Sequence, residues 1–432
     1  MPITGHRVRW RWIAAAGVLL TGLPAPVSAQ SVAAPVSAQA VSAPGADPAA
    51  PSSSLVSHGP FSLTGAATAD LIGNPAGGLR TGAKFLGKAA LSVAYDGAQD
   101  DHEGLTGLFS AQYVDGGHIS GRNVGDIQTL DNIEASGAVR VYEAWLARDY
   151  DGARGWKAGF IDLNVDFDTQ EVAALFLNSS DGIGPDFSRS GLNGPSIFPT
   201  TALGVAAYFR PSPGLTLRAG LFDGTAGSPY HPGAFAVRLS AADGALAVVQ
   251  VDRRFDAGWR VEGGGWAYTA AYDATNRVDA AGVPLRYHRA RGAYGLVEGT
   301  LLKLGDNDRG LSGWLRVGVA DPVVEHIAGY VGTGLVFTGP IKARAQDQAG
   351  ISLNHAVVVL PGVPDAPLST ETTIELTYRY LATDWFAVQP DLQYIVRPSG
   401  DRTIANAVVA GVRLTVNFTR SLAAKIGIAA PD

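Results

Sequence analysis

The stretch Ile404-Ala-Asn-Ala-Val-Val-Ala-Gly-Val-Arg-Leu-Thr-Val-Asn-Phe418 decides the fold. Val408, Ala410, Val412, Leu414, Val416 and Phe418 fall on one face; Arg413, Thr415 and Asn417 fall on the other. Successive side chains of a strand point to opposite faces, so this alternation marks a β-strand with one apolar and one polar side. Two upstream segments repeat it. In 372–380, Ile374, Leu376, Tyr378 and Tyr380 oppose Thr373, Glu375, Thr377 and Arg379. In 386–397, Phe386, Val388, Leu392, Tyr394 and Val396 oppose Gln389, Asp391, Gln393 and Arg397. Soluble strands average about five or six residues. These run longer, with aromatics at the ends of the apolar face, which suits a lipid-facing band between aromatic girdles.

The same unit recurs from Phe61 to Phe418. Strands are expected at 61–72, 85–95, 104–114, 138–149, 155–162, 200–210, 214–222, 244–253, 259–269, 290–302, 310–320, 330–339, 347–357, 370–381, 385–396 and 404–418. The apolar run 233–240 is short and reads as loop. Sixteen strands is an even number, as bacterial membrane barrels require. Long links (115–137, 163–199, 223–243, 270–289, 358–369) alternate with short ones (150–154, 211–213, 254–258, 303–309, 340–346, 382–384). The expected fold is therefore all-β: a closed antiparallel transmembrane β-barrel over 58–418, with long outer loops, short periplasmic turns and both ends in the periplasm. Glycines within the strands, such as Gly263-Gly-Gly265, read as sites for the tight bends of a closed sheet.

The remaining segments fit an exported chain. His6, Arg7, Arg9 and Arg11 precede the short apolar run Trp12–Leu23 and the small-x-small site Val27-Ser-Ala29, so 1–29 reads as a signal peptide. Ala25-Pro-Val-Ser-Ala-Gln30 recurs as Ala34-Pro-Val-Ser-Ala-Gln39, which leaves Ala29 and Ala38 both open as cleavage points. Residues 30–57 are mostly Ala, Pro and Ser and read as a flexible periplasmic linker. The tail 419–432 does not read as a strand. The formal charge of -6, without a basic run, argues against a nucleic-acid partner. The absence of cysteine excludes disulfides and thiolate metal sites.

Strand parity names the residues of the polar face. Glu143 and Trp145 fall on one side of 138–149, with Tyr142, Ala144 and Leu146 on the other. Because a charge prefers water, Glu143 and Trp145 are expected inside, with Trp145 either a platform for a sugar ring or a packing residue. By the same parity Arg218, Arg316, Glu375, Arg379, Asp391, Gln393 and Arg413 should line the pore. Both signs of charge are present, which suits neutral solutes better than ions. The longest link, 163–199, carries Asp166, Asp168, Glu171, Asp186 and Arg189 among Phe167, Phe176, Phe187 and Phe198. Links beyond about 15 residues are usually functional or disordered, and the aromatics give this one the means to pack.

Several stretches carry a family resemblance. They include Gly73-Asn-Pro-Ala-Gly-Gly-Leu-Arg80, Gly125-Asp-Ile-Gln-Thr-Leu-Asp-Asn-Ile-Glu-Ala135, Arg140-Val-Tyr-Glu-Ala-Trp-Leu146, Lys157-Ala-Gly-Phe-Ile-Asp-Leu-Asn164, Tyr330-Val-Gly-Thr-Gly-Leu-Val-Phe-Thr-Gly339 and Glu375-Leu-Thr-Tyr-Arg-Tyr380. From about Gly65 to Phe418 the chain resembles the carbohydrate-selective porins of OprB type from Gram-negative outer membranes. The resemblance implies a sixteen-stranded channel for glucose and other small sugars. It also implies a narrow point set by inward-folded outer loops, which makes the acids and Arg189 of 163–199 constriction candidates. Such barrels usually end on an aromatic residue; here Phe418 fills that place and a tail follows.

Other functions find little support. The eight histidines show no metal spacing, and no phosphate loop is present. Asp162-Leu-Asn-Val-Asp-Phe-Asp168 and Asp306-Asn-Asp308 resemble calcium loops without completing the ligand pattern. His118 and His231 lie in expected outer loops without a nucleophile motif, so a channel is favoured over a barrel enzyme. A general, non-selective porin remains the main alternative, with a secreted β-protein behind it. No cofactor is implied. The partners expected are small sugars and outer-membrane lipid, with the oligomer open between a homotrimer and a monomer.

Overall fold

A computed structural model of the chain describes residues 56–228, 239–305, 309–362 and 368–418. The expected signal peptide, nearly all of the linker, residues 233–238, Asp306-Asn-Asp308 and the tail lie outside the described residues.

Sixteen strands form the barrel: β1 (Phe61–Gly78), β2 (Gly82–Asp96), β3 (Leu105–Gly116), β4 (Ala138–Tyr150), β5 (Arg154–Ile161), β6 (Ala202–Ser212), β7 (Leu215–Asp223), β8 (Ala245–Phe255), β9 (Trp259–Tyr268), β10 (Arg291–Lys303), β11 (Gly310–Ala320), β12 (Ile327–Thr338), β13 (Gln348–Val358), β14 (Ser369–Leu381), β15 (Phe386–Val396) and β16 (Ala405–Phe418). Each pairs antiparallel with the next, and β16 closes on β1 with Phe418 opposite Gly65 and Ala405 opposite Gly78. Closure removes the sheet edges that would otherwise leave backbone groups unpaired in lipid. All sixteen expected strands are present, the largest boundary change being the extension of β1 to Gly78. A short strand, Val56–His58, pairs with the start of β1, and a separate hairpin (Tyr272–Val278 with Pro284–Tyr287) lies in the β9–β10 link.

Burial is inverted relative to a soluble protein. Large apolar side chains such as Leu71, Phe85, Leu146, Val249 and Leu376 are exposed, while Asp70, Glu262, Glu298, Arg316 and Glu375 are buried. Alternation turns the first set to lipid and the second to the lumen. Exposed Phe61, Tyr150, Phe209, Phe255 and Tyr380 sit towards the end that carries the short turns, as a girdle requires.

One expectation needs correction and another is extended. Tyr142 does not share the outer face with Ala144 and Leu146. A register shift pairs Ser110 with Glu143 and Ala111 with Val141, so Tyr142 is the extra residue of a bulge. Both Tyr142 and Glu143 are buried, and the Tyr142 hydroxyl donates to Asp162. The strand glycines also do more than permit bends. Gly350 faces inward, and a Cβ there would lie 2.6 Å from the Phe176 ring. Gly264 lies under the Tyr294 ring in the same way. These positions are recesses for large side chains.

Candidate functional site

Two outer links fold back into the barrel. The longer, 162–201, joins β5 to β6; the other, 117–137, joins β3 to β4. What draws the first inward is apolar: Phe167, Phe176 and Phe187 are each about fully buried. Phe187 stacks on Trp266 at 5.1 Å, and Phe176 packs against Trp314 at 5.2 Å. The sequence reading found this loop from its length and aromatics but did not see that 117–137 also turns inward.

Docking the loops buries backbone N–H groups that must find acceptors. Wall carboxylates supply them. Glu298 accepts from the backbone of Glu171 at 3.3 Å and Val172 at 2.9 Å. Glu375 accepts from Leu177 at 2.6 Å and Asn178 at 2.9 Å. Glu371 accepts from Ile127 at 2.9 Å, Gln128 at 3.1 Å and Ser399 at 2.5 Å. Each carboxylate thus clamps two consecutive peptide units. Gln393 donates to the Leu130 carbonyl at 2.8 Å, and Gln389 to that of Leu175 at 2.7 Å.

The charged pairs follow the same plan. Arg316 is fully buried and donates to Asp168 at 3.1 and 2.7 Å and to Asp186. Arg413 bridges Asp70 at 2.8 Å, Asp131 at 3.0 Å and the Asn132 side-chain oxygen at 2.8 Å. Arg260 meets Asp252 at 3.0 Å, Glu298 at 2.8 Å and Glu262, and donates to the Thr169 carbonyl at 2.6 Å. Guanidinium is the cation suited to this duty, since it presents five donors in a rigid fork.

The candidates therefore divide. Arg316, Glu375 and Gln393 face the lumen side of the wall but lie sealed beneath the loops, and Asp168 and Asp186 of the 162–201 loop are buried against them. Asp391 is buried and accepts from Gln393 at 3.0 Å; Arg379 faces inward and is buried. Trp145 is buried, donating to Glu143 at 3.0 Å with the Lys157 ammonium 4.8 Å from its ring centre, so a cation covers one face. Lys157 itself pairs with Asp166 at 2.7 Å.

Water reaches a smaller set. Glu171 and Arg254 pair across the loop–wall boundary with side chains 47% and 53% exposed. Arg218 is 22% exposed and lies 3.4 Å from Asp252. Arg189 stands exposed on the loop. Burial pushes the Glu171 carboxyl up, but Arg254 and Arg260 outweigh this and hold it below the usual range. Burial pushes Asp126 up to about 6 and Glu134 up to about 7 in the 117–137 loop. Arg260, Glu262, Glu298, Asp252 and Glu371 escaped the sequence reading. The first four share the inward parity of Trp266 and Tyr294, so the rule that found Arg316 would have found them too.

Among the described residues no group of three or more acidic or histidine side chains is placed to hold a metal ion. That includes Asp162 to Asp168, where Asp162 meets Tyr142, Asp166 meets Lys157 and Asp168 meets Arg316.

The chain was compared with known proteins. Porin B of Pseudomonas aeruginosa is 33% identical over 133 residues, which are 26% of this chain and 29% of that protein. The aligned stretch thus spans under a third of the relative. The structure described as the high-pH form of Pseudomonas putida OprB superimposes with a TM-score of 0.72 at 20% identity, covering 83% of this chain and 94% of that one. The low-pH form gives 0.52 at 18% identity, covering 83% and 92%. At these identities the superpositions establish the barrel fold. The family model for the carbohydrate-selective porins of OprB type matches residues 106–418, and the chain belongs to that family of Gram-negative outer-membrane barrels.

Proposed function

We propose that the barrel is a passive channel admitting glucose and other small neutral sugars to the periplasm, with the 162–201 loop as its narrow point. One observation carries this reading: the inward loops are tied to the wall by compensated charge. Arg316 with Asp168 and Asp186, and Arg413 with Asp70 and Asp131, are spent on holding the loops, while the pairs that water reaches, Glu171 with Arg254 and Asp166 with Lys157, each match one carboxylate to one cation. A polar but balanced passage offers hydrogen bonds to hydroxyl groups without attracting one class of ion.

Within this reading the candidates take two roles. Glu375, Arg316, Gln393, Arg413, Asp168 and Asp186 hold the constriction in place. Glu171, Asp166 and Arg218, joined by Arg254 and Lys157, are the groups a solute meets. Glu143 and Trp145 brace the Lys157 end of that surface, and Asp391 and Arg379 lie behind it. Arg189 faces the outer approach. The family match and the passage through a lipid-facing barrel support a channel rather than an enzyme.

The test is single-channel conductance of the refolded barrel in a planar bilayer, titrating glucose against a non-sugar solute of similar size. A saturable fall in current with glucose alone supports a sugar site. A steady current with both solutes would make the barrel a general porin.

A further inference from the structure

The outer rim above β15, β16, β1 and β2 carries four exposed arginines: Arg80, Arg122, Arg397 and Arg402. They come from three links that meet at one place. Ala405 pairs with Gly78, which sets the 397–404 link beside the 79–81 turn. Leu79 and Ile404 side chains both close on Gly125, at the end of the turn that carries Arg122. The Arg80 amide donates to the Asn123 carbonyl at 2.9 Å, and the Arg80 Nε to the Arg122 carbonyl at 3.0 Å. The buried Asn74 amide holds the Arg80 carbonyl at 3.1 Å. Arg80 and Arg122 are thus held side by side by rigid backbone.

Clustered as they are, the four arginines lack acidic partners: among the described residues no carboxylate lies within ion-pair distance of any of them. Asp401, the acid within the 397–404 link, accepts from Thr403 instead. On another arc of the same rim the pattern is opposite. Arg286 pairs with Asp273 at 3.3 Å, Arg289 with Asp321 at 2.7 Å and Arg291 with Asp321 at 3.9 Å. Apolar wall begins below the unpaired patch, with Leu71, Phe85 and Tyr394 turned to lipid.

We propose that this patch binds the phosphorylated glycolipid headgroup of the outer leaflet. Clustered cations at the level of a charged lipid surface attract anionic headgroups. The guanidinium fork matches phosphate oxygens in bidentate fashion. Only one of the five donors of the exposed Arg80 side chain serves the protein, which leaves the rest for a ligand. Apolar wall directly continuous with the patch supplies the surface that acyl chains need, which a site for free phosphate would not require.

The experiment uses the refolded full chain and immobilised lipid A, with dephosphorylated lipid A and inorganic phosphate as probes. The variant Arg80→Ser/Arg122→Ser/Arg402→Ser should weaken lipid A binding by about 100-fold, at roughly tenfold or less per arginine. The variant Arg286→Ser/Arg289→Ser/Arg291→Ser should bind as the parent does. Glucose-dependent conductance should be the same in both variants, which separates this site from the pore. Equal binding by the first variant, equal binding of dephosphorylated lipid A, or equal loss in the second variant would each overturn the proposal. So would displacement of the lipid by millimolar inorganic phosphate alone, which would assign the patch to free phosphate.

Discussion

The inner wall of the barrel has two unlike halves. From β8 to β15 it is covered by the inward loops and carries charge: Glu262, Glu298, Arg316, Glu371 and Glu375 are each at most 2% exposed. Towards the turn-bearing ends of β1 and β2, past Asp70, Leu86 and Lys88, its inward positions are small and at least partly exposed, with Thr64, Ala66, Ala90, Ser92 and Ala94. The covered half invests its charges in holding a loop. That open part has little to hold and leaves room, whereas nearer the rim Asp70, Ile72 and Leu86 lie buried against the 117–137 loop. Charge on a porin wall is therefore a poor guide to where solute passes, because the most charged surface can be the one farthest from water.

The sharpest way to break this comparison is to remove Arg316. Arg316→Met keeps the bulk but leaves Asp168 and Asp186 buried without their cation. Removing one partner of a buried pair costs about 3–5 kcal/mol. The 162–201 loop should detach, raising single-channel conductance and exposing the loop to protease while the barrel stays folded. Unchanged conductance and unchanged cleavage would show that the covered half does not depend on that pair. Gly350→Leu tests the recess beneath Phe176, and overpacking of this kind costs about 1–3 kcal/mol. It should loosen the lower part of the same loop, read as faster hydrogen exchange over 171–178. The reverse control lies on the open half: Ala90→Ser should leave both readouts untouched.

Glu375→Gln sits in the middle of this scale. An amide keeps one acceptor oxygen where the carboxylate has two, so one of the Leu177 and Asn178 amides loses its charge-assisted bond, worth about 1.5–3 kcal/mol. A gain in loop mobility smaller than that of Arg316→Met is expected. A larger one would reverse the order of importance and point to the carboxylates, rather than the arginine, as what holds the loop.

How much of this could be read from the chain is itself uneven. The strands were legible because a period of two persists wherever one side meets lipid and the other water. Parity also placed Arg316, Glu375, Gln393 and Arg413 on the inner face. It could not say what covers them. The partners of Glu375 lie 198 and 197 residues away in sequence, on a loop with no period of its own. Parity fails outright at Tyr142, where a single bulged residue lets two neighbours point inward. The inward turn of 117–137 left no aromatic signal of the kind that marked 163–199: it packs through aliphatic Ile119, Val124, Leu130 and Ile133, and is tied down by backbone groups on Glu371 and Gln393 and by Asp131 and Asn132 on Arg413.

That second loop also gives the comparison a pH axis. Asp126 and Glu134 are held up to about 6 and about 7, chiefly by burial. Asp126 faces both Glu134 and Glu371 as a like charge, with Arg189 as the cation near Asp126 and Glu134. A carboxyl whose folded value is raised favours the folded form while protonated. Docking of 117–137 is therefore strongest below the ordinary carboxylate range and weakens as pH rises through about 6 to 7. Hydrogen exchange over 117–137, corrected for intrinsic rate, should show more protection at pH 5 than at pH 8, and Glu134→Gln should flatten the difference.

The smallest effect belongs to the boundary between loop and open lumen. Glu171 and Arg254 pair there with about half of each side chain in water. Exposed pairs are worth about 0.2–1 kcal/mol and are screened by salt. Arg254→Gln should therefore leave loop protection within error of the parent, unlike Arg316→Met. What it should change is the solute's surroundings: a few-fold shift in the glucose concentration that half-blocks the current, fading as salt is raised. If Arg254→Gln instead frees the loop as fully as Arg316→Met does, exposure no longer separates the groups that hold the constriction from those that meet the solute. The two halves would then be one continuous network.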